Sequence, residues 1–460
     1  MISRQLFREY DIRGVVDKDF TEEAVSLIGK AFGTLVRRNG GSFITCGRDG
    51  RLHSERLEKA LTEGLNAAGV DVVDIGQCPT PVLYFSLFRL ESHGGIQITG
   101  SHNPPEYNGL KMCLGRETIH GGRIQELYEI IEENVFAKGS GNVKKYDILP
   151  DYLSYLKENI KIARPVRVIL DCGNGAAALT APAAFKEAGC KVTSLYCTVD
   201  GRFPNHHPDP TVLENLKDLK EVVVGEGAEL GIAFDGDGDR IGVVDERGEV
   251  IYGDKILMIL ARSLLSEHPG AAVIGEVKCS HLLYNDIEAH GGVPIMWKTG
   301  HSLIKQKMKE TGAILAGEMS GHIFFADRYF GFDDATYAAL RLSEIVSRTQ
   351  KPLSSFLKGI PETVSTPEIR VDCPEELKFE VVDKVKRWFC QHYDTIDVDG
   401  VRIVFPDGWG LIRASNTQPV LVLRFEAETP ERLQEIRDLV EGKLSEVRSG
   451  LEKDGKNKGN

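Results

Sequence analysis

Three stretches of this chain repeat one pattern: a short apolar run, then a polar or glycine-bearing loop, then a stretch with helical character. They are Ser42-Phe43-Ile44-Thr45-Cys46-Gly47-Arg48-Asp49, Val166-Arg167-Val168-Ile169-Leu170-Asp171-Cys172-Gly173-Asn174-Gly175 and Ala271-Ala272-Val273-Ile274-Gly275-Glu276-Val277-Lys278. They lie roughly a hundred residues apart, which is the scale of whole domains. The likeness is one of pattern and not of residues. Strands alternating with helix-length segments favour mixed or parallel sheets covered by helices, so the chain is expected to build three related α/β domains. At 460 residues it is too long for a single ordinary core.

The last hundred residues or so read differently. Glu375 to Gln391 is helix-like, and Asp397 to Glu428 is strand-rich, punctuated by the hairpin signals Asp399-Gly400 and Asp407-Gly408. Pro430 opens an amphipathic helix with Leu433, Ile436, Leu439 and Leu444 on its apolar side. A smaller α+β domain is therefore expected from near residue 366, giving limits of 1–150, 151–252, 253–365 and 366–460. The tail from Lys453 to Asn460 has nothing to bury and is expected to be disordered.

Composition excludes several function classes. A formal net charge of -12 argues against binding nucleic acid or an anionic membrane. No apolar run approaches the roughly 18 to 20 residues that span a bilayer. The nine cysteines form no C-x-x-C pair, which suits buried thiols in a reducing compartment better than a disulfide frame or zinc site. Without a secretory leader in the first residues, a cytoplasmic location is expected. If the substrate is a phosphate ester, cationic residues must converge locally on an otherwise acidic protein.

Two segments carry the strongest chemical signals. The first is Thr99-Gly100-Ser101-His102-Asn103-Pro104-Pro105, followed by Glu106-Tyr107-Asn108-Gly109-Leu110-Lys111. Gly95-Ile96-Gln97-Ile98 alternates like a strand running into it, and the two prolines bar a helix. Ser101 is expected in a fixed turn with its hydroxyl exposed, able to carry a covalent group. The second is Phe234-Asp235-Gly236-Asp237-Gly238-Asp239-Arg240, a tight loop between two apolar runs. Three carboxylates that close repel one another unless a cation sits among them, and hard oxygen ligands select Mg²⁺, Ca²⁺ or Mn²⁺. An EF-hand calcium loop fails at its sixth position, where Arg240 replaces the required glycine. Arg240 beside a metal site makes sense if an anion lies across both.

Further candidates depend on context. Arg413-Ala414-Ser415-Asn416-Thr417 offers a guanidinium fork, hydroxyls and amides to a phosphate. Glu318 and Ser320 in Gly317-Glu318-Met319-Ser320-Gly321-His322 share one face if extended, matching adjacent sugar hydroxyls. Lys278 and Lys298-Thr299-Gly300-His301 close strands of the third unit with basic groups. Asn205-His206-His207-Pro208 suits a rigid loop better than a metal site.

Taken in order, F-R-E-Y-D-I-R-G at 7–14, T-G-S-H-N-P-P at 99–105, D-G-D-G-D-R at 235–240, G-E-M-S-G-H at 317–322 and R-A-S-N-T at 413–417 resemble the α-D-phosphohexomutase family, its phosphomannomutase/phosphoglucomutase branch above all. The resemblance implies four domains around a central cleft. It implies a phosphoryl group on Ser101, with Mg²⁺ bridging it to Asp235, Asp237 and Asp239. It further implies transfer between the 1- and 6-positions of a hexose phosphate through a hexose 1,6-bisphosphate. Arg240 would offset charge on the moving group, and Arg413, Ser415, Asn416 and Thr417 would hold the other phosphate. Glu318 and Ser320 would grip ring hydroxyls, with His322 nearby. Tyr10, Arg13, Lys278 and His301 would complete the cleft.

A general acid/base is also needed, and Lys111, His102 and His301 are the rivals. Lys111 in that role would need its pKa lowered by neighbouring cations. Partners are then small hexose phosphates, with the chain a monomer or weak dimer. The alternatives are a phosphoglucosamine mutase, a metal-dependent sugar-phosphate phosphatase in which water ends the reaction at Ser101, and a non-catalytic sugar-phosphate-binding protein.

Overall fold

The computed structural model describes residues 2–416 and 418–458, with side chains as far as 451. The three repeated stretches each supply the first strand of a four-strand arrangement that recurs in three sheets. In the first, the strands lie in the order Asp71–Gln77, Phe43–Arg48, Gly94–Ile98 and Tyr107–Leu114; the first three are parallel and the last antiparallel. The second sheet follows the same plan with Lys191–Leu195, Arg167–Asp171, Leu230–Phe234 and Ile241–Asp245. The third does so with Val293–Trp297, Ala272–Glu276, Leu315–Gly317 and Ile323–Phe325. Each of the three therefore ends in a hairpin between its third and fourth strands. The first sheet gains Ile12–Val15 beside Tyr107–Leu114 and Val143–Lys145 at its far edge. The short strand Val250–Ile251 extends the second.

The fourth unit is antiparallel throughout, in the order Val364–Ser365, Val420–Ala427, Gly408–Ala414, Val401–Phe405 and Asp394–Ile396, with Ile369–Asp372 also on Val420–Ala427. Helices Lys378–His392 and Pro430–Lys458 pack on it. Ile436 and Leu444 are buried there, with Leu433 and Leu439 against the same core. Gly400 takes φ 75 in the first expected hairpin, a backbone state that suits glycine. The tail differs from expectation: the last helix runs on to Lys458 and takes in most of it, because charged residues of good helical propensity can extend an already anchored helix.

Burial explains how the first three units share one frame. The helices Thr80–Arg89, Leu149–Asn159, Gly253–Glu267 and Ala335–Ser347 contribute Val82, Tyr152, Leu257 and Tyr337 to a single apolar core that runs through all three. A second core, within the first unit, lies under helices Glu22–Arg38 and Ser54–Ala67. The fourth unit has its own core, touching the third through Val277, Trp409 and Leu411. The apolar–polar alternation of Gly95 to Ile98 does not mark a solvent-facing strand. Gln97 is fully buried, its amide donating to the Cys78 carbonyl at 2.8 Å. Among the described residues, no helix is long and apolar enough to cross a membrane. All nine cysteines are free thiols.

Candidate active site

The two strongest motifs and the Glu318 turn occupy one topological position. Ser101 lies in the turn between the third and fourth strands of the first unit, Asp235 to Arg240 in that turn of the second, and Glu318 to His322 in that turn of the third. Strands flank the Asp turn on both sides, which rules out the helix–loop–helix of an EF-hand.

Ser101 sits in a left-handed conformation (φ 49), its amide donating to Thr99 Oγ1 at 2.8 Å. The turn is fixed as expected, but the side chain is not exposed: Ser101 is 2% accessible. The Asp turn closes over it, with Ser101 Oγ donating to Asp235 Oδ2 at 3.0 Å. A side chain at Gly236 would stand 2.3 Å from the Ser101 carbonyl, so only glycine permits this approach. His102 Nδ1 is 3.0 Å from Ser101 Oγ. Burial, then the cations Arg240 and Arg13, push the His102 imidazole well below its ordinary range.

Arg51, which the sequence reading did not single out, organises this loop. Its guanidinium donates to the carbonyls of Ser101 (2.8 Å), Asn103 (2.5 Å), Pro104 (2.6 Å) and Tyr107 (3.0 Å). Arg13 adds a bond to Asn103 Oδ1 at 2.6 Å and is itself paired with Asp11 at 2.5 Å.

Asp235, Asp237 and Asp239 are all fully buried, with candidate ligand atoms within 4.8 Å of one another. Asp235 Oδ1 accepts the amides of Asp239 and Arg240, each at 3.1 Å. Among the described residues, Asp237 Oδ1 and Asp239 Oδ1 have no hydrogen-bond partner. Buried carboxylate oxygens left without donors fit a hard divalent cation. Burial and the charges of Asp239 and Asp237 push the Asp235 carboxyl well above its usual range.

Lys111, on the fourth strand of the first unit, reaches across to donate to Asp237 Oδ2 at 2.8 Å and to Asp239 Oδ2. Burial alone would depress its ammonium, but Asp237, Asp239, Asp235 and Asp333 outweigh burial and hold it above the usual lysine range. The surroundings that an acid/base lysine would need, cations lowering its pKa, are not the ones Lys111 has. Carboxylates surround it, because the first and second units meet there. Thr80 supplies Asp237 Oδ2 with a further donor at 2.5 Å.

In the third unit the pair Glu318 and Ser320 is not extended. The Gly321 amide bonds back to the Glu318 carbonyl at 3.0 Å, making a tight turn with Glu318 buried and Ser320 half-buried. Glu318 Oε1 accepts the Gly300 amide at 2.7 Å. Burial pushes its carboxyl up.

This turn joins the second unit through Arg240, whose Nε donates to His322 Nε2 at 3.0 Å. His322 Nδ1 is 2.9 Å from Asp333 Oδ2, and Lys305 holds the other oxygen of Asp333 at 3.1 Å. The His301 ring stacks on His322 at 5.7 Å, and burial pushes it well below the ordinary histidine range.

The fourth unit closes the arrangement. Arg413 Nε pairs with Asp399 at 2.9 Å, and Asp399 also accepts the Thr299 amide at 3.1 Å. Asn416 donates to the Tyr10 hydroxyl at 2.5 Å, which in turn donates to the Thr299 carbonyl at 2.9 Å. Tyr10 thus spans the first, third and fourth units. Ser415 Oγ accepts the Gln418 amide at 3.2 Å. Lys278 is buried and pairs with Glu368 at 3.1 Å. Thr417 lies outside the described residues.

Sequence comparisons agree with this layout. Models described as phosphoglucomutase/phosphomannomutase alpha/beta/alpha domains I, II and III match residues 4–138, 150–248 and 252–364, and the C-terminal domain matches 368–443. The chain belongs to the phosphoglucomutase/phosphomannomutase family. As a member it is an enzyme of the phosphohexomutase type. A phosphomannomutase/phosphoglucomutase of Pseudomonas aeruginosa is 50% identical over 449 residues, covering 97% of this chain and 96% of that protein. A phosphoglucomutase of Neisseria meningitidis is 47% identical over 442 residues, covering 95% and 96%. The crystal structure of a family protein from Burkholderia thailandensis superposes with a TM-score of 0.93 at 46% identity, covering 98% of this chain and 99% of that one.

Asp49, Arg51, Thr80, Asp333 and Asp399 escaped the sequence reading. Asp49 acts on Gly100, Arg51 on Ser101, Thr80 on Asp237, Asp333 on His322 and Asp399 on Arg413, none of them a chain neighbour, and only Asp49, within a repeat stretch, and Asp399, within a hairpin signal, carried any local signal.

Proposed function

We propose that this chain interconverts the 1- and 6-phosphates of a hexose, glucose and mannose being the substrates, by way of a phosphoryl group stored on Ser101. The observation that carries the reading is the 3.0 Å contact between Ser101 Oγ and Asp235 Oδ2, which joins a hydroxyl able to bear phosphate to a buried three-carboxylate site. Asp235, Asp237, Asp239 and the phosphorylated Ser101 would hold Mg²⁺, which when bound supplies positive charge to the transferring oxygens.

In the forward step, the bond between Ser101 Oγ and phosphorus breaks as a bond from the sugar O6 or O1 to phosphorus forms. The sugar hydroxyl loses a proton and Ser101 Oγ gains one, so the proton count is conserved. We assign His102, whose neutral ring lies against Ser101 Oγ, to relay that proton, giving one up at Nδ1 as it takes one at Nε2. His301 is the group we assign to accept the sugar's proton; its Nδ1 is buried without a hydrogen-bond partner among the described residues. Lys111 stays an ammonium and offsets the carboxylates. Arg240 faces the moving group, while Arg413, Ser415, Asn416 and Thr417, with Lys278, hold the phosphate that does not react. Glu318 and Ser320 grip ring hydroxyls in either orientation of the hexose 1,6-bisphosphate, flanked by His322, Tyr10 and Arg13.

Action as a monomer or weak dimer is part of the same proposal. The free thiols suit a reducing compartment such as the cytoplasm. A coupled assay on glucose 1-phosphate, mannose 1-phosphate and glucosamine 1-phosphate tests the reading. Turnover of the first two without release of inorganic phosphate is expected. Phosphate appearing in step with substrate loss would make the chain a phosphatase instead.

A further inference from the structure

One buried carboxylate recurs at the same place in all three related units. Asp49 follows the first strand of the first unit, Asp171 ends that of the second, and Glu276 ends that of the third. All three are at most 2% accessible. Each accepts the backbone amide two residues on: Arg51 on Asp49 at 3.0 Å, Gly173 on Asp171 at 2.9 Å, Lys278 on Glu276 at 2.8 Å.

In the first and third units the same carboxylate makes a second tie. Asp49 Oδ2 accepts the Gly100 amide at 3.2 Å, one residue before Ser101. Glu276 Oε1 accepts the Met319 amide at 3.2 Å, between Glu318 and Ser320. Among the described residues, the second unit has no such tie. Its Asp turn is held by amides donated to Asp235, and Asp171 pairs with His206 at 3.0 Å instead.

We infer that Asp49 and Glu276 are positioning residues that set the height of two functional turns above their sheets, Asp49 for the Ser101 turn and Glu276 for the sugar-facing turn. Each carboxylate couples its turn to a cation as well. Asp49 lies 3.3 Å from Arg51 Nε, and Arg51 holds four carbonyls of the Ser101 loop. Glu276 orders the backbone at Lys278 and takes the Thr299 hydroxyl at 2.9 Å.

The chemistry requires a carboxylate. Both oxygens of each anchor accept donors, whereas an amide offers one acceptor oxygen and presents N–H groups where the other stood. An Asn or Gln of the same shape would thus face at least one donor with another donor, leaving a buried N–H unpaired.

The inference rests on the mutase reading above, and its test separates the two. Steady-state kinetics of wild type, Asp49→Asn and Glu276→Gln on glucose 1-phosphate, with melting temperatures alongside, give a split. Asp49→Asn is expected to lower kcat by roughly tenfold to a hundredfold with KM nearly held, since a displaced reacting group costs about that much. Glu276→Gln is expected to raise KM roughly tenfold with the smaller effect on kcat, and Glu276→Asp to recover part of it. Wild-type kinetics in both variants, or equal losses in kcat that merely track the folded fraction, overturn the inference and leave the mutase reading standing. A wild-type protein that does not turn over any hexose phosphate defeats the mutase reading. In that case, or if a variant does not fold, hydrogen exchange on the wild-type protein decides the anchors alone. The Gly100 and Met319 amides should exchange far more slowly than amides of open turns; fast exchange overturns the inference.

Discussion

The Ser101 turn and the Asp235 turn stand at the same point of two related units and are built in opposite ways. The first is held from outside: the Arg51 guanidinium bonds four of its carbonyls and Arg13 holds its Asn103 side chain. The second is held from within, by amides folding back on Asp235, and its need is charge rather than shape. Lys111 answers that need from the first unit. A loop that must present a reacting oxygen is fixed by donors on its backbone. A loop that must gather carboxylates is fixed by its own amides and neutralised by its neighbour. Each unit thus supplies what the other lacks.

The largest break in that comparison is Ser101→Ala, which removes the oxygen and leaves the charge. Activity should fall at least about a thousandfold, as for loss of a nucleophile elsewhere. The melting temperature should stay near that of the wild type, and an active variant would end the covalent reading. Exhaustive chelation attacks the other partner and should stop turnover, with activity returning on Mg²⁺ addition; turnover persisting in EDTA would sever the Asp turn from the chemistry. Arg51→Ala should lower kcat by roughly a hundredfold by releasing the serine loop. Its affinity for Mg²⁺, read by calorimetry, should change far less, and an equal loss in both would show that the turns are not separately held.

Lys111→Met should destabilise the metal-free protein by about 3–5 kcal/mol, because it strips a buried counter-charge from Asp237 and Asp239. Thermal melts with and without Mg²⁺ check this, since added metal should restore more stability to the variant than to wild type. The smallest effect lies away from both turns. Burial would raise the Glu368 carboxyl, but Lys278 and Arg370 overcome it and hold it down at about 2. A depressed carboxyl contributes stability that is present above its unfolded value of 4.5 and lost as pH falls toward about 2. Glu368→Gln should therefore flatten the acid side of the stability profile in that window, and an unaltered profile would remove this junction of the third and fourth units from the account.

Much of this was legible along the chain. The three repeated stretches proved to supply the first strand of a four-strand arrangement that recurs in three sheets, because alternation of strand and helix patterns is a local property. Ser101 and the three aspartates stand out along the chain for the same reason: glycines, prolines and charges crowded into a few residues leave few alternatives. What stayed hidden depends on distance. Nothing near Arg51 says that its guanidinium faces the carbonyls of residues fifty positions on. Nothing near Lys111 says that carboxylates, and not cations, surround it. Glu318 and Ser320 read as an extended pair because spacing alone cannot distinguish a strand from a turn.

The amino-acid sequence by itself determined the repeated strand–loop–helix plan, the smaller unit after it and the motifs that meet at the candidate site, since periodicity and motif chemistry act over a few residues. Only the tertiary structure decided that the three functional turns are one turn used three times and that Ser101 is buried beneath Gly236. It also decided that Lys111 belongs electrically to the second unit. Burial and charge compensation are set by what packs against a residue, and here the apolar core shared by three units brings those neighbours together.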